Sequence, residues 1–334
     1  MPSLSSSAIG PELLRRALCY RLTEVDLPGL SNHYRGKVRD NYSLPDGRRI
    51  LIATDRQSAF DRVLAAVPFK GQVLTEIARF WFERTADICA NHVLSHPDPN
   101  VLVAQELIML PVEVVVRDYL TGSTDTSIWT AYAKGVRKFC GNPLAEGMVK
   151  NQKLPETLLT PSTKPAGGGH DVSVSPDELI ARGCITPEQW GELAEVSLRL
   201  FARGREIAAA NGLILVDTKY EFGLDRLGRL TLADEIHTPD SSRYWFAESY
   251  AARHAAGQEP DSLDKEFLRL WLRARCNPYT DPLPEIPEDV LVEFAEKYIR
   301  LYETITGKPF AVPDMTTPIL DRIRLALAEF TPAA

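Results

Sequence analysis

The segment LVDTKYEFG, residues 215–223, has the alternation of a β-strand and carries three charged residues. Asp217, Lys219 and Glu221 lie two residues apart, so in a strand their side chains share one face. A solvated sheet face, on which Lys219 bridges its acidic neighbours, would account for the pattern. A face that points at a ligand would account for it equally, because carboxylates bind hard cations and lysine binds anions.

The next strand favours a ligand-binding face, although the solvated face stays possible. RLTLAD, residues 229–234, follows the turn DRLGR, and a two-residue loop at Leu227-Gly228 places Glu221 opposite Asp234. Opposed residues have Cβ atoms about 4.5–5.5 Å apart, so two unpaired carboxylates would repel each other. A divalent cation such as Mg²⁺ would turn that repulsion into a binding site. Lys219 would then meet an anionic substrate group, and we expect Asp217 to orient Lys219.

A second candidate site follows the strand-like segment MLPVEVVVRDYLTGS, residues 109–123. Arg117 ends the strand, and arginine offers a planar fork that suits phosphate or carboxylate. Gly122 lets backbone N–H groups approach an anion, and Ser123 adds a hydroxyl donor. An ion pair of Arg117 with Asp118 or Glu113 would also explain this arginine.

Three further segments carry weaker signals. Gly36 and Lys37 lie in a hairpin that could cover nucleotide phosphates, although a solvated basic strand explains them as well. Ser58 and Asp61 follow an apolar strand, where turn chemistry is an alternative. Arg243 follows two serines at an expected helix start, which would favour an anion, and an exposed capping cluster is the alternative.

Several elements must position these residues. HYRGKVRDNYSL and RRILIATDR, separated by the turn PDG, predict a hairpin. Thr186, Pro187 and Gln189 predict a capping box that begins a helix ending at an Asn-Gly pair. Residues 154–176, rich in proline and glycine, predict a long loop. Helices are expected around Arg243–Ala256, Leu263–Arg275, Pro287–Thr306 and Pro318–Phe330. Hairpins first and helices last predict an α+β protein in two lobes.

Composition narrows the class of protein. The chain has 334 residues, a net charge of −7 and five scattered cysteines. The acidic balance argues against a nucleic-acid partner, and no apolar run approaches the roughly 18 residues of a membrane span. The cysteines predict free thiols in a reducing cytoplasm. No P-loop, dinucleotide fingerprint or kinase motif is present, so the residues indicate a phosphate-handling enzyme that uses ATP outside the P-loop class.

The sequence resembles the phosphoribosylaminoimidazole-succinocarboxamide synthase (SAICAR synthetase) family. MLPVEVVVRDYLTGS and LVDTKYEFG are similar to its two signatures, and RGKVRDNY, TDRQSAFD, TPSTKPAGGGHD and ADEIHTPDSSRYW follow in the family's order. The resemblance is to the longer form of the family and spans roughly residues 34–245. It implies a purine-biosynthesis ligase that converts ATP, CAIR and L-aspartate into SAICAR, ADP and phosphate through an acyl phosphate.

The resemblance also implies an architecture and a set of site residues. The fold would be similar to ATP-grasp and kinase-like folds, with a small antiparallel β lobe at 1–108 and a larger α+β lobe at 109–334, and ATP between them. A monomer is expected. The implied catalytic residues are Lys219 and Arg117. The implied ligands of Mg²⁺ are Glu221 and Asp234. The implied ATP-binding residues are Gly36, Lys37, Val38, Arg39, Glu106, Leu107, Ile108 and Lys219. The implied substrate-binding residues are Ser58, Asp61, Arg117, Gly122, Ser123, His170, Asp171 and Arg243.

Two alternatives stay open at this point. A small-molecule kinase on the same scaffold would release ADP and a phosphorylated acceptor without forming an amide. A nucleotide-binding regulatory protein would keep the fold without catalysis, and the charged residues Lys219, Glu221 and Asp234 argue against it.

Overall fold

The computed structural model describes residues 9–163 and 171–330, and chain packing divides it into two compact units. The first unit takes the described residues of Met1–Phe80, His92–Glu106 and Trp271–Ala334, and the second takes Trp81–Asn91 and Leu107–Leu270. The C-terminal region therefore belongs to the same unit as the N-terminal region. The sequence-based prediction had instead placed a single boundary after residue 108. The division into functional lobes stays a prediction.

The first unit is built on a five-stranded antiparallel sheet in the order β1-β2-β3-β7-β6. Strands β1 to β7 lie at His33–Arg35, Arg39–Ser43, Arg48–Ala53, Arg56–Ala59, Arg62–Ala66, Val93–Asp98 and Val101–Gln105. β2 and β3 form the predicted hairpin, and Gly47 has the positive φ of 80° that its turn requires. β4 and β5 form a separate hairpin.

The first unit also contains helices from both ends of the chain. Helices α1 and α2 lie at Pro11–Ala17 and Lys70–Arg84, of which α2 continues into the second unit. Near the C-terminus, α7 begins in the second unit and is followed by α8, α9 and a 3₁₀ turn, at Glu266–Arg273, Glu288–Thr306, Ile319–Ala326 and Ala328–Phe330. Ile319, Ile323 and Leu327 are buried in one cluster with Ile50 and Val103 of the sheet. This apolar packing explains why the end of the chain groups with the N-terminal strands.

The second unit is built on a seven-stranded antiparallel sheet. Its two central strands are β8, Ile108–Tyr119, and β14, Leu213–Leu224. The main order is β13-β12-β8-β14-β15, with β11 also pairing β8 and β16 also pairing β14. Strands β9 to β13 lie at Lys138–Phe139, Asn142–Pro143, Lys153–Leu159, Ser162–Thr163 and Val172–Ser173, and β15 and β16 at Leu230–Ala233 and Ser242–Phe246. Helices α3 to α6 lie at Ile128–Ala133, Pro176–Ala181, Pro187–Ala210 and Ala247–Ala255. Every strand pair in the described ranges is antiparallel, which confirms the α+β class.

The capping prediction for α5 is confirmed. The Thr186 hydroxyl accepts the Gln189 N–H at 3.2 Å, and the Gln189 side chain accepts the Thr186 N–H at 2.9 Å. Pro187 takes the first helical position. Helix α5 packs against β14 and β8 through buried apolar residues that include Leu193 and Leu200. The helix therefore covers one face of the seven-stranded sheet.

Two predicted elements were wrong. The expected loop at 154–176 begins with most of an edge strand, β11 at Lys153–Leu159. Pro155 is tolerated there because it lies where the register with β8 shifts. Arg243 lies in strand β16 rather than at a helix start, since the aromatic run SRYWF pairs with β14 and α6 begins only at Ala247. The remaining C-terminal helices occur where predicted, within narrower bounds.

Two predictions about the class of protein can also be compared with the structure. The five cysteines are free thiols, as expected. In the described part of the chain, no helix combines the length and apolar composition that crossing a membrane requires.

Candidate active site

The charged face of β14 is enclosed rather than solvated. In the register with β8, Asp217 lies opposite Arg117 and Glu221 lies opposite Glu113, so these four side chains share a face with Lys219. Arg117, Asp217, Glu113 and Glu221 are all buried. Buried charges are tolerated only when paired, so the partners of each residue define the site.

Lys219 stands between two carboxylates. Its Nζ atom lies 2.7 Å from Glu113 Oε1 and 2.7 Å from Glu221 Oε1. Burial lowers the pKa of Lys219, but the carboxylates of Glu221, Glu113 and Asp234 raise this pKa well above its usual value. Lys219 is therefore a fixed positive charge at neutral pH and not a proton acceptor.

Asp234 does not lie opposite Glu221, so the predicted register was wrong by one residue. Glu221 pairs with Ala233, because the turn has five residues, 225–229, rather than two. The Asp225 carboxylate builds this longer turn by accepting the N–H groups of Leu227 and Arg229, at 2.8 and 2.9 Å. Asp234 follows the end of β15 with a positive φ of 58°, and its carboxylate still acts electrostatically on Lys219.

The sequence interpretation missed Glu113 as a site residue. Burial raises the pKa of the Glu113 carboxyl, Lys219 opposes this, and the carboxylates of Glu221 and Asp171 raise the pKa further. Asp171, which was predicted to bind substrate, therefore belongs to the same electrostatic cluster. The signal in the sequence was one glutamate within the apolar run VEVVV, which is costly to bury without a partner.

Asp217 holds two arginines together. Its Oδ2 atom accepts Arg243 Nη1 at 2.7 Å and Arg117 Nη1 at 3.1 Å. Arg117 also donates from Nε to Thr160 Oγ1 at 2.8 Å. The expectation that Asp217 orients Lys219 was therefore wrong, and so was the alternative pairing of Arg117 with Asp118 or Glu113.

Burial lowers the pKa of both arginines, but carboxylate partners offset this to different extents. The pKa of Arg117 stays below its ordinary value, because Asp217 offsets burial only in part. For Arg243, the effect of burial is exceeded by Asp217 and Glu266, so its pKa is raised above the ordinary value. Conversely, Arg243 and Arg269 outweigh burial at Glu266 and lower the pKa of that carboxyl to about 2. Arg243 and Glu266 are therefore both ionised at neutral pH.

The turn after β8 packs against Arg243. Gly122 has a φ of 110°, and a Cβ atom there would lie 2.4 Å from Ser127 Cβ and 3.1 Å from Arg243 Nη2. Only glycine fits this close approach. Ser123 follows and is buried. The structure thus brings together the four residues predicted for an anion: Arg117, Gly122, Ser123 and Arg243.

The face has two ends of opposite character. Asp217 and Glu221 are four residues apart on β14, which corresponds to about 13 Å. The Asp217 end carries guanidinium groups, and the Glu221 end carries one ammonium among carboxylates. One end therefore suits a strongly anionic group, and the other suits a cation together with a transferred group.

Within the first unit, Gly36, Lys37 and Val38 form the turn between β1 and β2, and Arg39 is the first residue of β2. The buried guanidinium of Arg56, which the sequence interpretation missed, donates to the carbonyls of Gly36 and Lys37 at 3.0 and 3.1 Å. These two hydrogen bonds fix the backbone path of the turn. Arg56 lies in the segment TDRQSAFD, but nothing in that segment indicates these contacts, because the acceptors are backbone carbonyls.

Lys37 and Asp61, predicted to bind different ligands, instead form an ion pair with each other. Both side chains are about half exposed, so the ion pair contributes little to the free energy of unfolding. Breaking it to make a contact with a ligand would therefore cost little. Ser58 lies on β4 near this pair in sequence.

The remaining predicted residues have separate positions. Glu106 accepts the Ser43 hydroxyl at 2.8 Å within the first unit. Leu107 and the exposed Ile108 begin the second unit, where Leu107 lies against Gly223. His170 lies outside the described residues.

The carboxylates fit a magnesium ion only in part. In the ranges described, no group of three His, Cys, Asp or Glu side chains is placed to hold a metal by itself. Magnesium commonly takes one or two protein carboxylates together with water and substrate phosphates. Glu221 and Asp234, which both act on Lys219, match that smaller donor set.

Comparison with known proteins gives consistent similarities. A family model described as SAICAR synthetase matches residues 32–286. A putative phosphoribosylaminoimidazole-succinocarboxamide synthase 2 of Agrobacterium fabrum is 54% identical over 311 residues, 93% of this chain and 98% of the relative. A Legionella pneumophila phosphoribosylaminoimidazole-succinocarboxamide synthase is 53% identical, covering 90% and 96% of the two chains. The solved SAICAR-synthase from Saccharomyces cerevisiae complexed with SAICAR is 32% identical, with a TM-score of 0.74 over 87% of this chain and 100% of that chain.

Proposed function

Since this chain belongs to the SAICAR synthetase family, we propose that it joins CAIR and L-aspartate into SAICAR with release of ADP and phosphate. The family resemblance and the two-lobed fold predicted from the sequence are confirmed. The enzyme is an amide-forming ligase of purine biosynthesis, in keeping with the synthase names of its relatives. The observation that carries the proposal is the Lys219 ammonium held between Glu113 and Glu221 on the face that also carries Arg117 and Arg243.

Lys219 supports the phosphoryl-transfer step. The γ-phosphoryl group of ATP passes to the CAIR carboxylate through a transition state with charge on its equatorial oxygens. A protonated lysine stabilises that charge without rearrangement, because Glu113 and Glu221 already fix its ammonium. Its raised pKa supports a role as a point charge.

Glu221 and Asp234 would hold Mg²⁺, the cofactor implied with ATP. When bound, the ion would neutralise charge on the nucleotide phosphates. The support is the electrostatic cluster of both carboxylates with Lys219 and the preference of magnesium for carboxylate and phosphate oxygens. Glu113 then serves to keep Lys219 in place rather than to bind the ion.

The arginine end of the face would bind an anionic group of CAIR. Arg117 and Arg243, aligned by Asp217, offer planar N–H donors, and Ser123 lies in the adjoining turn. We assign the CAIR phosphate to this end because Lys219, at the other end of the face, needs the CAIR carboxylate beside it.

In the first unit, the turn at Gly36, Lys37 and Val38, together with Arg39 at the start of β2, would bind ATP phosphates. The support is the Arg56 contact, which occupies the carbonyl groups of Gly36 and Lys37 and so fixes the turn. Glu106, Leu107 and Ile108 remain the proposed adenine-binding segment. Ser58, Asp61, His170 and Asp171 remain the proposed borders of the CAIR and aspartate pockets.

The amide bond forms in the second step. The aspartate amine, in its neutral form, attacks the carbonyl carbon of the acyl phosphate, and the C–O bond to phosphate breaks. Inorganic phosphate leaves with the electron pair and takes up the proton that the amine nitrogen loses as it becomes an amide. Positioning and exclusion of water matter most here, since water would hydrolyse the acyl phosphate.

The deciding experiment mixes the protein with MgATP, CAIR and L-aspartate and follows both ADP and SAICAR. We expect SAICAR and ADP in equal amounts, with full ADP release only when aspartate is present. A phosphorylated acceptor without an amide would indicate a kinase instead, and no turnover at all would refute the proposal.

A further inference from the structure

A buried hydrogen bond ties the connection between β15 and β16, residues 234–241, to the back of the seven-stranded sheet. Tyr220 lies between Lys219 and Glu221 on β14, so its side chain points to the face opposite theirs. On that face, the Tyr220 hydroxyl meets Nε2 of His237 at 2.5 Å. Both side chains are fully buried. Because His237 belongs to the connection, this bond joins the connection to the strand that carries the charged face.

The His237 imidazole has no room to turn. Helix α5 approaches it at Gly204, where a Cβ atom would lie 2.5 Å from Cε1 and 2.9 Å from Nδ1 of the ring. Trp81 meets the same ring edge-on, with the ring centroids 4.6 Å apart. The backbone is held as well, because the Tyr244 hydroxyl donates to the His237 carbonyl at 2.7 Å. His237 is therefore a point at which the connection is fixed to the surrounding elements.

The backbone of the connection needs such an anchor. Asp234 and His237 have positive φ values of 58° and 50°. Residues with a side chain rarely adopt this conformation, which persists only where the surrounding structure imposes it. Asp234 lies only three residues before His237, so loss of the His237 contact would let the backbone between them relax and the Asp234 carboxylate move.

The pair of Tyr220 and His237 contributes geometry rather than charge. Burial lowers the pKa of His237 to about 3, so its imidazole is neutral at pH 7. Within residues 9–163 and 171–330, Nδ1 has no hydrogen-bond partner, which leaves the Tyr220 hydroxyl as the one polar contact of the ring. Two apolar side chains would fill this space without burying polar atoms. A hydrogen bond, unlike apolar packing, also sets a distance and a direction.

We propose that the hydrogen bond between Tyr220 and His237 positions Asp234 for binding Mg²⁺. Tyr220 directly precedes Glu221, so the bond on the back of the sheet also sets the separation of the two carboxylates of the proposed metal site. Tyr220 and His237 are thus positioning residues that act through Glu221 and Asp234. The inference deepens the proposed function and rests on it for the ion and the nucleotide.

The first test is Tyr220→Phe, which removes one hydroxyl and keeps the ring. Calorimetric titration of the whole protein with ADP, once with Mg²⁺ and once with EDTA, needs no turnover. Partners that orient metal ligands commonly affect metal affinity 10- to 100-fold, so we expect Tyr220→Phe to weaken ADP binding in Mg²⁺ about tenfold. Binding of ADP in EDTA should change less than about twofold, because no phosphate contact is lost.

Tyr132→Phe is the matched control. Tyr132 is also buried in the second unit, donates its hydroxyl to the Ala145 carbonyl at 2.8 Å, and belongs to a different apolar cluster. The control variant should lose stability in urea, as Tyr220→Phe should, but should bind ADP as the unmodified protein does under both conditions.

Gly204→Ala tests the same geometry without removing a polar group. Its Cβ atom must displace the His237 ring, so ADP binding in Mg²⁺ should weaken as in Tyr220→Phe. Gly191→Ala is the control on the same helix, because among the described residues nothing lies within 4 Å of the position of its Cβ atom. It should leave ADP binding unchanged.

The magnesium dependence of the reaction gives a second measurement. Tyr220→Phe should raise the Mg²⁺ concentration for half-maximal activity about tenfold and change kcat at saturating Mg²⁺ less than about threefold, because excess ion restores the occupied site. If Tyr220→Phe lowers only the stability in urea and leaves ADP binding in Mg²⁺ unchanged, the inference is wrong.

Two further outcomes separate this inference from the proposed reaction. Unmodified protein that binds ADP equally well in Mg²⁺ and in EDTA would overturn the inference together with the metal site. Failure to form SAICAR, combined with the expected weakening of ADP binding in Tyr220→Phe and Gly204→Ala, would reject the reaction and support the positioning role.

Discussion

Glu113 and Glu221 lie directly opposite each other on β8 and β14, and the Lys219 ammonium bridges their carboxylates. Opposed like charges on neighbouring strands destabilise a sheet unless a cation lies between them. Under the proposed function, Lys219 therefore contributes both to stability and to catalysis. Removing Lys219 has consequences for both, and they can be separated.

Replacing Lys219 with Met should lower the free energy of unfolding by about 2 kcal/mol, less than for a fully buried pair because the lysine side chain is 30% exposed. The amide-forming rate should fall by at least about 100-fold, since the fixed positive charge is lost. Urea denaturation and the SAICAR assay measure the two effects.

The double variant Lys219→Met with Glu113→Gln is the control for this prediction. It removes one of the two opposed carboxylates, so most of the lost stability should return while activity stays low. Recovery of activity together with stability would mean that Lys219 has a structural role only.

Magnesium dependence should change when either proposed ligand is neutralised. Glu221→Gln and Asp234→Asn should each raise the Mg²⁺ concentration for half-maximal activity by about tenfold or more, because a carboxylate ligand becomes a weaker amide one. Glu195→Gln, on the exposed side of α5, is the matched control. An unchanged magnesium titration in both variants would remove these residues from the metal site.

Local patterns predicted the charged face of β14 but not what opposes it. The two-residue alternation of Asp217, Lys219 and Glu221 follows from strand geometry alone. Glu113 is 106 residues from Lys219 in sequence, and nothing local indicates which strands become neighbours. The predicted register with β15 was also wrong, because the length of the turn is set by hydrogen bonds from backbone N–H groups to the Asp225 carboxylate.

Motifs predicted which residues gather at the proposed anion site but not how they are held. Arg117, Gly122, Ser123 and Arg243 converge as expected, although Arg243 reaches the cluster from a strand. Aromatic residues favour strand pairing where serines had suggested a helix start. Arg56 was missed because its partners include backbone carbonyls, which carry no sequence signal.

A side chain larger than hydrogen should not be tolerated at Gly122, because the space around it is occupied. Gly122→Ala forces a Cβ atom within 2.4 Å of Ser127 Cβ and 3.1 Å of Arg243 Nη2, so the turn or the arginine must move. We expect a raised KM for CAIR and a loss of at least about 2 kcal/mol in unfolding free energy. Steady-state kinetics and urea denaturation measure the two effects.

Gly135→Ala is the control for that steric effect. Gly135 also has a positive φ, 93°, but among the described residues nothing lies within 4 Å of the position that an alanine Cβ would take. Only backbone strain of about 1 kcal/mol should appear, with unchanged kinetics. Equal kinetic effects of the two variants would show that strain, and not the approach to Arg243, explains the Gly122 result.

The pH dependence of stability should contain two opposing contributions within the first unit. Burial, together with nearby positive charges, lowers the pKa of His92 to about 3, so the unfolded state takes up a proton first as pH falls below about 6.5. Burial raises the pKa of Asp55 to about 6, although the N–H groups of Gly71 and Leu22 oppose this. As pH falls from about 7.5 to 5, His92 therefore lowers the free energy of unfolding and Asp55 raises it.

Variants should reveal these two contributions with opposite signs. Relative to the unmodified protein, His92→Gln should become more stable by about 2 kcal/mol as pH falls from about 7.5 to 5, because its unfolded state no longer gains that proton. Relative to the unmodified protein, Asp55→Asn should become less stable by about 1 kcal/mol over the same range. The reason is that the folded unmodified protein gains stability when its buried Asp55 carboxylate is protonated, and the variant lacks this gain. Urea denaturation at several pH values across this range measures both differences. Parallel curves for His92→Gln and the unmodified protein would show that His92 titrates normally in the folded state.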